Sequence, residues 1–463
     1  MPTNELQVNI AILGGGPAGY VAAIRAIQMG ASVILIEKKD LGGVCMNVGC
    51  IPTKALIESA RTAATVKRSK EYGVVSTLNS VLWDSAVDRK NRVVKNLTMG
   101  LAQLLQAKGV QILVGEGTVL TKHEISVSTD SGEMLVRCDK IILTTGSRPL
   151  IPPIPGITLE GVITSTQALE LSALPKSIVI IGAGVIGLEF ASMFAAVGVK
   201  TVVLEALDRP MPNADEETVN ELLKLLKRQG ISFKFSSRVV KIEKDGEALS
   251  ITYETAGKTA TVSGSNVLVA AGRKLNTECF QNLSLEMRSG AVSADDHMET
   301  SVKDVYAAGD ITGGKLLAHL AYAEGRTAAE NALGQEKVIH YDAVPSCVYT
   351  SPEFASVGMT EAEAVSAGIH IKKGIFSFRH NGRALTLGER EGFVKILCDQ
   401  EGVIIGAHIL GAEASELISE LTLAISAKIN VDVLADIIHP HPTLSEAVWE
   451  ACLDAASRSL HKA

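Results

Sequence analysis

Val8-Asn9-Ile10-Ala11-Ile12-Leu13-Gly14-Gly15-Gly16-Pro17-Ala18-Gly19 opens a pattern that Ser177-Ile178-Val179-Ile180-Ile181-Gly182-Ala183-Gly184-Val185-Ile186-Gly187 repeats. In the first copy, residues 8–13 read as a short buried strand and the glycines as a turn into a helix ending near Gly30. Residues 32–36 then form a second strand, finished by Glu37. In the second copy, 178–181 is the strand, 188–197 the helix, and 201–204 the strand finished by Glu205. Both acids stand 18 positions after the third glycine of their copy. Two βαβ units predict two nucleotide-binding domains in one chain.

Each glycine has a mechanical reason. The first (Gly14, Gly182) makes the tight turn, and the second (Gly16, Gly184) lets backbone approach a pyrophosphate. The third (Gly19, Gly187) lets helix and strand pack closely, and the helix N-terminus attracts phosphate. One such match can arise from packing alone; two with correctly spaced acids point to dinucleotides. Glu37 and Glu205 can accept ribose hydroxyls. At the second site an acid would repel a 2′-phosphate, which favours NAD over NADP, although Arg209 four residues later pulls the other way.

A chain of 463 residues with 46% hydrophobic and 21% charged residues has room for two to four packed domains. A net charge of −7, no Lys/Arg stripe and 4% aromatics argue against nucleic acid. The apolar stretch 178–204 resembles a membrane span by hydropathy, but Glu189, Lys200 and three glycines favour a buried strand-turn-helix-strand. Met1-Pro2-Thr3-Asn4-Glu5 lacks the basic start of a signal peptide. Seven cysteines without framework spacing predict free, mostly buried thiols in a reducing, cytoplasmic setting.

Two further runs carry chemistry. Gly42-Gly43-Val44-Cys45-Met46-Asn47-Val48-Gly49-Cys50-Ile51-Pro52-Thr53-Lys54 places two cysteines five apart, on successive turns of a distorted helix start. They are either ordinary buried thiols or a redox pair close enough to bridge. The pair follows Glu37 by eight residues, where the flavin of a dinucleotide would lie. A helix N-terminus and Lys54 would lower a thiol pKa there. The second run is His439-Pro440-His441-Pro442-Thr443-Leu444-Ser445-Glu446. Thr443 or Ser445 could cap the next helix, and Glu446 could orient His441 as a base. Zinc is a competing use of the histidines, but no further ligands stand at metal spacing.

Prolines 149, 152, 153 and 155 mark a stiff crossing, and a second crossing follows Ala271-Gly272-Arg273. Residues 305–310 read as another strand, ending in the acid Asp310, by which the chain returns to the first domain. After about residue 344 come strand-like segments (393–398, 403–410) and helices (413–428, 445–459), an α+β tail without a glycine fingerprint. The expected architecture is α/β, two Rossmann-like domains plus an α+β C-terminal domain: 1–150 with 275–343, then 151–274, then 344–463.

Taken together, these residues resemble the pyridine nucleotide-disulfide oxidoreductase family over essentially the whole chain. Thr144-Thr145-Gly146-Ser147-Arg148-Pro149 and Leu317-Ala318-His319 add to the match. The resemblance implies FAD in the first domain, NAD in the second, dimerisation by the third, and reoxidation of protein-bound dihydrolipoyl groups. It implies that Cys45 is the thiol exchanging with substrate and Cys50 the thiol beside the flavin. His441, oriented by Glu446, would be the base, reaching into the partner subunit's active site. Lys54 and Glu189 would pair beneath the flavin, Glu37 and Asp310 would contact adenosine ribose and ribityl chain, and Gly117, Gly146 and Ala318 would offer backbone. Glu205, Val239 and Gly272 would lie on the NAD side. Val44, Met46 and Pro440 depart from the usual residues without removing a reacting group. The implied partners are a second copy of the chain and the lipoyl domain of a dihydrolipoyl acyltransferase or a glycine cleavage H protein. The first strand begins within ten residues, so the lipoyl group is expected on another protein. Glu205 argues against a glutathione-type, NADPH-linked relative, and the cysteine-free tail 457–463 against a mercuric reductase. The intact dithiol and base argue against a non-catalytic flavoprotein subunit.

Overall fold

A computed structural model describes residues 5–462; residues 1–4, part of the opening segment read above, and Ala463 lie outside the described residues. The first unit runs β1 (Glu5–Leu13), α1 (Pro17–Gln28), β2 (Val33–Glu37), α2 (Gly43–Val48), α3 (Cys50–Arg68), α4 (Trp83–Ala107), β3 (Gln111–Val114), β4 (Glu116–Thr121), β5 (Glu124–Thr129) and β6 (Gly132–Leu143). Its sheet has the order β3-β2-β1-β6-β5-β4. β1, β2, β3 and β6 are parallel, and β4 and β5 extend the sheet antiparallel. Ile10 and Ile12 pack on Ala22, Ala23 and Ala26 of α1, while Ala11 and Leu13 face Val119, Ile125 and Val136. Burial on both faces is why these strands read as unbroken apolar runs.

Helix α1 starts with Pro17, where a missing N–H costs nothing, and its small alanines let it lie close to the sheet. A Cβ on Gly19 would stand 1.9 Å from the Gly14 carbonyl oxygen, which is backbone and cannot yield. Gly19→Ala is therefore expected to lose about 1–3 kcal/mol of stability, read as a lower Tm than a Gly382→Ala control, where a Cβ meets nothing within 4 Å and the backbone is not left-handed. Equal Tm values would sink the packing role.

A short strand, β7 (Ser147–Pro149), leads into the second unit: β8 (Val162–Thr164), α5 (Ser165–Ala168), β9 (Ser177–Ile181), α6 (Val185–Ala196), β10 (Lys200–Leu204), α7 (Glu216–Arg228), β11 (Ser232–Lys234), β12 (Arg238–Asp245), β13 (Ala248–Thr255), β14 (Lys258–Gly264) and β15 (Asn266–Val269). Its parallel sheet is β11-β10-β9-β15-β8, with β12-β13-β14 as an antiparallel meander. The apolar stretch 178–204 is thus strand, helix and strand, and among the described residues no helix is long and apolar enough to cross a membrane. The return crossing, β16 (Arg273–Leu275), pairs antiparallel with β7, so the two connections form one ribbon.

After the small ribbon β17 (Met287–Arg288) and β18 (Ala291–Val292), β19 (Val305–Ala307) pairs parallel with β6. Helix α8 (Ala318–Ala332) lies on α1 through Gly325, where a Cβ would meet Ala18 backbone at 2.2 Å. The C-terminal unit contains β20 (Ser346–Val348), β21 (Glu353–Gly358), α9 (Glu361–Ser366), β22 (Lys372–Ser377), α10 (Gly382–Leu387), β23 (Phe393–Cys398), β24 (Ile404–Gly411), α11 (Ala414–Ser426), α12 (Val431–Asp436) and α13 (Glu446–Ala455). Its antiparallel sheet, β20-β21-β24-β23-β22, shares a core with α11, α12 and α13. Two helices are shorter than the sequence pattern suggests. Glu413 and Lys428 adopt φ of 55° and 52° and bound α11, and Ser457 at 58° prevents α13 from running on to 459.

Candidate active site

The two glycine turns build matching cradles. Glu37 accepts hydrogen bonds from Gly15 N–H (2.7 Å) and Lys39 N–H (2.9 Å); Glu205 accepts from Ala183 N–H (2.6 Å) and Leu207 N–H (2.9 Å). Both following helices begin without a side-chain cap. In front of Gly184 a Cβ would meet nothing within 4 Å, and at Gly16 only Gly43 at 3.9 Å. Uncapped N–H groups facing open space suit the pyrophosphates of dinucleotides. A continuous cavity of about 1800 Å³ joins the two cradles, and its wall includes Gly146, Lys54, Glu189, Val239, Gly272, Asp310 and Ala318. Gly19, Gly187 and Gly117 are not on that wall. Gly187 meets Gly182 backbone as Gly19 meets Gly14, and Gly117 packs against Leu13 and Ile36.

Arg209 does not reach the second cradle's ribose side as a free cation. It is engaged by Glu216 at 3.3 Å and by the Pro212 carbonyl.

The cysteines lie across a helix break rather than within one helix. Cys45 belongs to α2 and Cys50 starts α3, with Gly49 between them at φ −139°, ψ −111°. A Cβ on Gly49 would sit 2.8 Å from the Val44 carbonyl, so only glycine allows the turn. Gly43, at φ 56°, brings α2 against the first fingerprint: its Cβ position is 2.8 Å from Gly16 Cα. Packing therefore delivers both thiols to the first cradle. The structure holds the pair in its dithiol form. Cys50 is held down at about 7 by the hydrogen bond from Cys45, helped by Lys54, while Cys45 is pushed well up by that same bond and by burial.

One turn beyond Cys50, Lys54 Nζ bonds both Glu189 oxygens, at 2.9 and 3.0 Å. The ammonium also stands 4.4 Å from the centre of the Tyr349 ring, and Tyr349 N–H donates to Glu189 at 3.0 Å. First, second and C-terminal units thus meet at one part-buried ion pair. Asp310 accepts from Ser147, which Arg273 also holds (2.7 Å).

Sequence reading missed several cavity residues. Cys347 lies on β20 and Tyr349 directly follows it, far along the chain from the thiols, and Tyr322 lines the cavity near Cys45 with its ring tilted 55° to that of Tyr20, 5.8 Å between centroids. Nothing local in the sequence marks them. Only their place on converging elements does.

His441 is elsewhere. Its imidazole is 78% exposed, and it is absent from the cavity wall that holds the cysteines. Nδ1 lies 2.9 Å from Glu446 Oε1, whose other oxygen accepts Thr443 N–H at 2.8 Å. Burial would raise the Glu446 carboxyl, but Thr443 N–H and His441 hold it below its ordinary value. Ser445 occupies the cap position of α13 without a capping bond, so the capping reading gives way to this brace. His439 is structural: its ring is buried, bonded to Glu420 (3.0 Å) and Ile437 O (3.1 Å), and stacked on Trp449. Among the described residues no group of three His, Cys, Asp or Glu side chains is placed to hold a metal ion.

Residues 8–325 match the model of the pyridine nucleotide-disulphide oxidoreductases, and 344–452 that of the family's dimerisation domain. The chain belongs to the pyridine nucleotide-disulphide oxidoreductase family. It is 39% identical to a dihydrolipoyl dehydrogenase of Bacillus subtilis, covering 98% of this chain and 99% of the relative. LpdA from Mycobacterium tuberculosis superposes with a TM-score of 0.90 at 28% identity, over 96% of this chain and 99% of that one. The flavoprotein disulfide reductase RclA of Escherichia coli gives 0.85 at 29%, over 95% and 98%. As a member of this family the chain is a flavoprotein oxidoreductase that uses FAD and NAD, and the open glycine cradles fit both.

Proposed function

We propose that the chain is a dihydrolipoyl dehydrogenase that oxidises protein-bound dihydrolipoyl groups through Cys45 and Cys50 and delivers the electrons to NAD⁺. The observation that carries this reading is the thiol pair, seated on the first glycine cradle and one helical turn from the Lys54–Glu189 pair. Full-length similarity to a dihydrolipoyl dehydrogenase supports the substrate class.

In this reading the resting pair is a disulfide. His441 of the partner subunit, its Nδ1 braced by Glu446, removes a proton from one substrate thiol at Nε2. The thiolate attacks Cys45 Sγ, the Cys45–Cys50 bond breaks, and Cys50 leaves as a thiolate stabilised by Lys54. The second substrate thiol then displaces Cys45 and passes its proton to the departing Cys45 sulfur, closing the cyclic disulfide and leaving two electrons on the pair. FAD, when bound at the first cradle, supplies the two-electron relay from Cys50 to NAD⁺ at the second. Glu37 and Asp310 position the first dinucleotide, with backbone from Gly146 and Ala318; Glu205, Val239 and Gly272 position the second.

The domain division follows the same reading: 1–150 with 275–343 for FAD, 151–274 for NAD, and 344–463 for the interface. Pairing of β19 with β6 supports the return to the first domain. A homodimer is supported by the dimerisation-domain match and by exposed Ile438 (95%) beside His441. The further proposed partner is a lipoyl domain, of an acyltransferase or H protein, and the proposed compartment is the cytoplasm.

Steady-state assay with dihydrolipoamide tests the function directly, with NAD⁺ and NADP⁺ compared. Preference for glutathione disulfide with NADPH would overturn it. Glu205→Ala removes a charged acceptor for ribose hydroxyls, worth on the order of 1.5–3 kcal/mol. Its NAD⁺/NADP⁺ ratio of kcat/KM should drop by about 10- to 100-fold. An unchanged ratio would remove Glu205 from the NAD side.

A further inference from the structure

Lys395 is a lysine with no exposed side-chain surface, and its ammonium meets a carboxylate of the second unit. On β23 it contacts three carboxylates: Glu361 at 2.7 Å, Asp215 at 2.9 and 3.2 Å, and Glu217 at 3.0 Å. Asp215 is equally buried. Glu217 and Glu361 are partly exposed and share a second ammonium, Lys373, at 3.5 and 3.4 Å. His408, the cross-strand neighbour of Lys395 on β24, is buried, donates from Nε2 to Met359 O at 3.1 Å, and leaves Nδ1 without a partner. Burial disfavours the protonated form of that imidazole, and the three carboxylates are the groups bonded to the Lys395 ammonium. An ion of this kind contributes little net stability against an apolar replacement, so its geometry calls for another account.

The geometry leads to the second cradle. Asp215 caps α7, accepting Thr218 N–H at 3.1 Å and Thr218 Oγ1–H at 2.7 Å. The loop 206–214 joins that cap to Glu205 and lines the cavity through Met211, Pro212, Asn213 and Ala214. Met211 adopts φ 43°, a left-handed conformation strained for a side chain of this size, and its N–H donates to Ala183 O at 3.3 Å. Ala183 is the middle residue of the second fingerprint, and its own N–H holds Glu205. One run of bonded groups therefore links Lys395, Asp215, the loop, the fingerprint and Glu205. A strained loop keeps its shape only if both ends are held. Glu205 holds one end. Lys395, from a different unit, holds the other.

We infer that Lys395 is a positioning residue for the nicotinamide dinucleotide: through Asp215 it clamps the loop 206–214 over the second cradle and sets affinity for NAD⁺ and NADH. This rests on the second cradle being the nicotinamide-nucleotide site.

The test uses the FAD-loaded dimer. Lys395→Met should raise both the KM and the Kd for NAD⁺ by about tenfold or more. Anaerobic reduction of the enzyme by dihydrolipoamide, which needs no NAD⁺, should stay within about twofold of wild type, as should kcat at saturating NAD⁺. Adding Asp215→Asn to Lys395→Met should recover part of the affinity, because it removes the buried uncompensated carboxylate. Should Lys395→Met not fold, Glu361→Gln, at the partly exposed edge of the cluster, should still raise the NAD⁺ Kd by a smaller factor. An unchanged Kd in whichever of these variants folds overturns the inference, as does an equal loss in the dihydrolipoamide half-reaction. Glu205→Ala, measured alongside, separates the two readings. If it leaves NAD⁺ affinity intact, the site assignment falls; if it weakens NAD⁺ and Lys395→Met does not, only the clamp falls.

Discussion

Replacing His441 by Gln is expected to cut turnover with dihydrolipoamide by ~10²–10⁴ while leaving FAD content unchanged. Glutamine fills the space and can accept one hydrogen bond, but it cannot take up a proton near neutral pH. Glu446 holds Nδ1 at 2.9 Å, which leaves Nε2 as the working nitrogen. The imidazole faces outward and stands apart from its own chain's cysteines, so the effect should also obey subunit complementation. Mixed and reassociated one to one, inactive His441→Gln and inactive Cys50→Ser chains place an intact pair opposite an intact base in the hybrid dimer. About a quarter of wild-type activity should return, since half the dimers are hybrids with one good site of two. No recovery, with hybrids shown to form, would assign base and thiols to one chain. Wild-type activity in His441→Gln alone would remove its role altogether.

Cys45→Ala should abolish turnover and also move a titration. The hydrogen bond from Cys45 is the largest influence holding Cys50 near 7, ahead of the Lys54 charge. Without that donor, burial is opposed mainly by Lys54, and the Cys50 midpoint should rise toward or beyond the ordinary thiol value. At neutral pH the variant then carries less thiolate than the reduced wild type. Ultraviolet thiolate absorbance against pH reads this directly, and Lys54→Met should push the midpoint further in the same direction. A midpoint that stays near 7 in Cys45→Ala would show that the thiol–thiol bond does not set the ionisation. Cys50→Ser should be equally inactive, since it removes the leaving sulfur of the exchange.

Much of this site is written in short runs. Strand, turn, helix and terminal acid are local, so both cradles could be read from spacing, and both Glu37 and Glu205 hold their turns in the same way. The thiols, Lys54 and the His441–Glu446 brace are equally local, each within a dozen residues of its partner. What stayed hidden depends on distant elements meeting. Glu189 and Tyr349 close on Lys54 from two other units, and Lys395 finds Asp215 across 180 positions. Element ends were also out of reach where single residues turn left-handed without being glycine, as at Glu413, Lys428 and Ser457. The break at Gly49 was half legible: a distorted helix start is expected, but two separate helices follow from the Val44 carbonyl's approach.

The paired crossings β7 and β16 have a mechanical corollary. Two separate strings would let the second unit swivel freely, each string turning about its own bonds. Stitched edge to edge, from Ser147 opposite Leu275 to Pro149 opposite Arg273, they act as a flat strap that bends across its width but resists torsion. The strap passes beside Asp310 through Arg273 and Ser147, so any twist would tug on the first cradle. A rocking of the second unit that bends the strap across its width keeps these pairings, whereas a rotation about its length would break them.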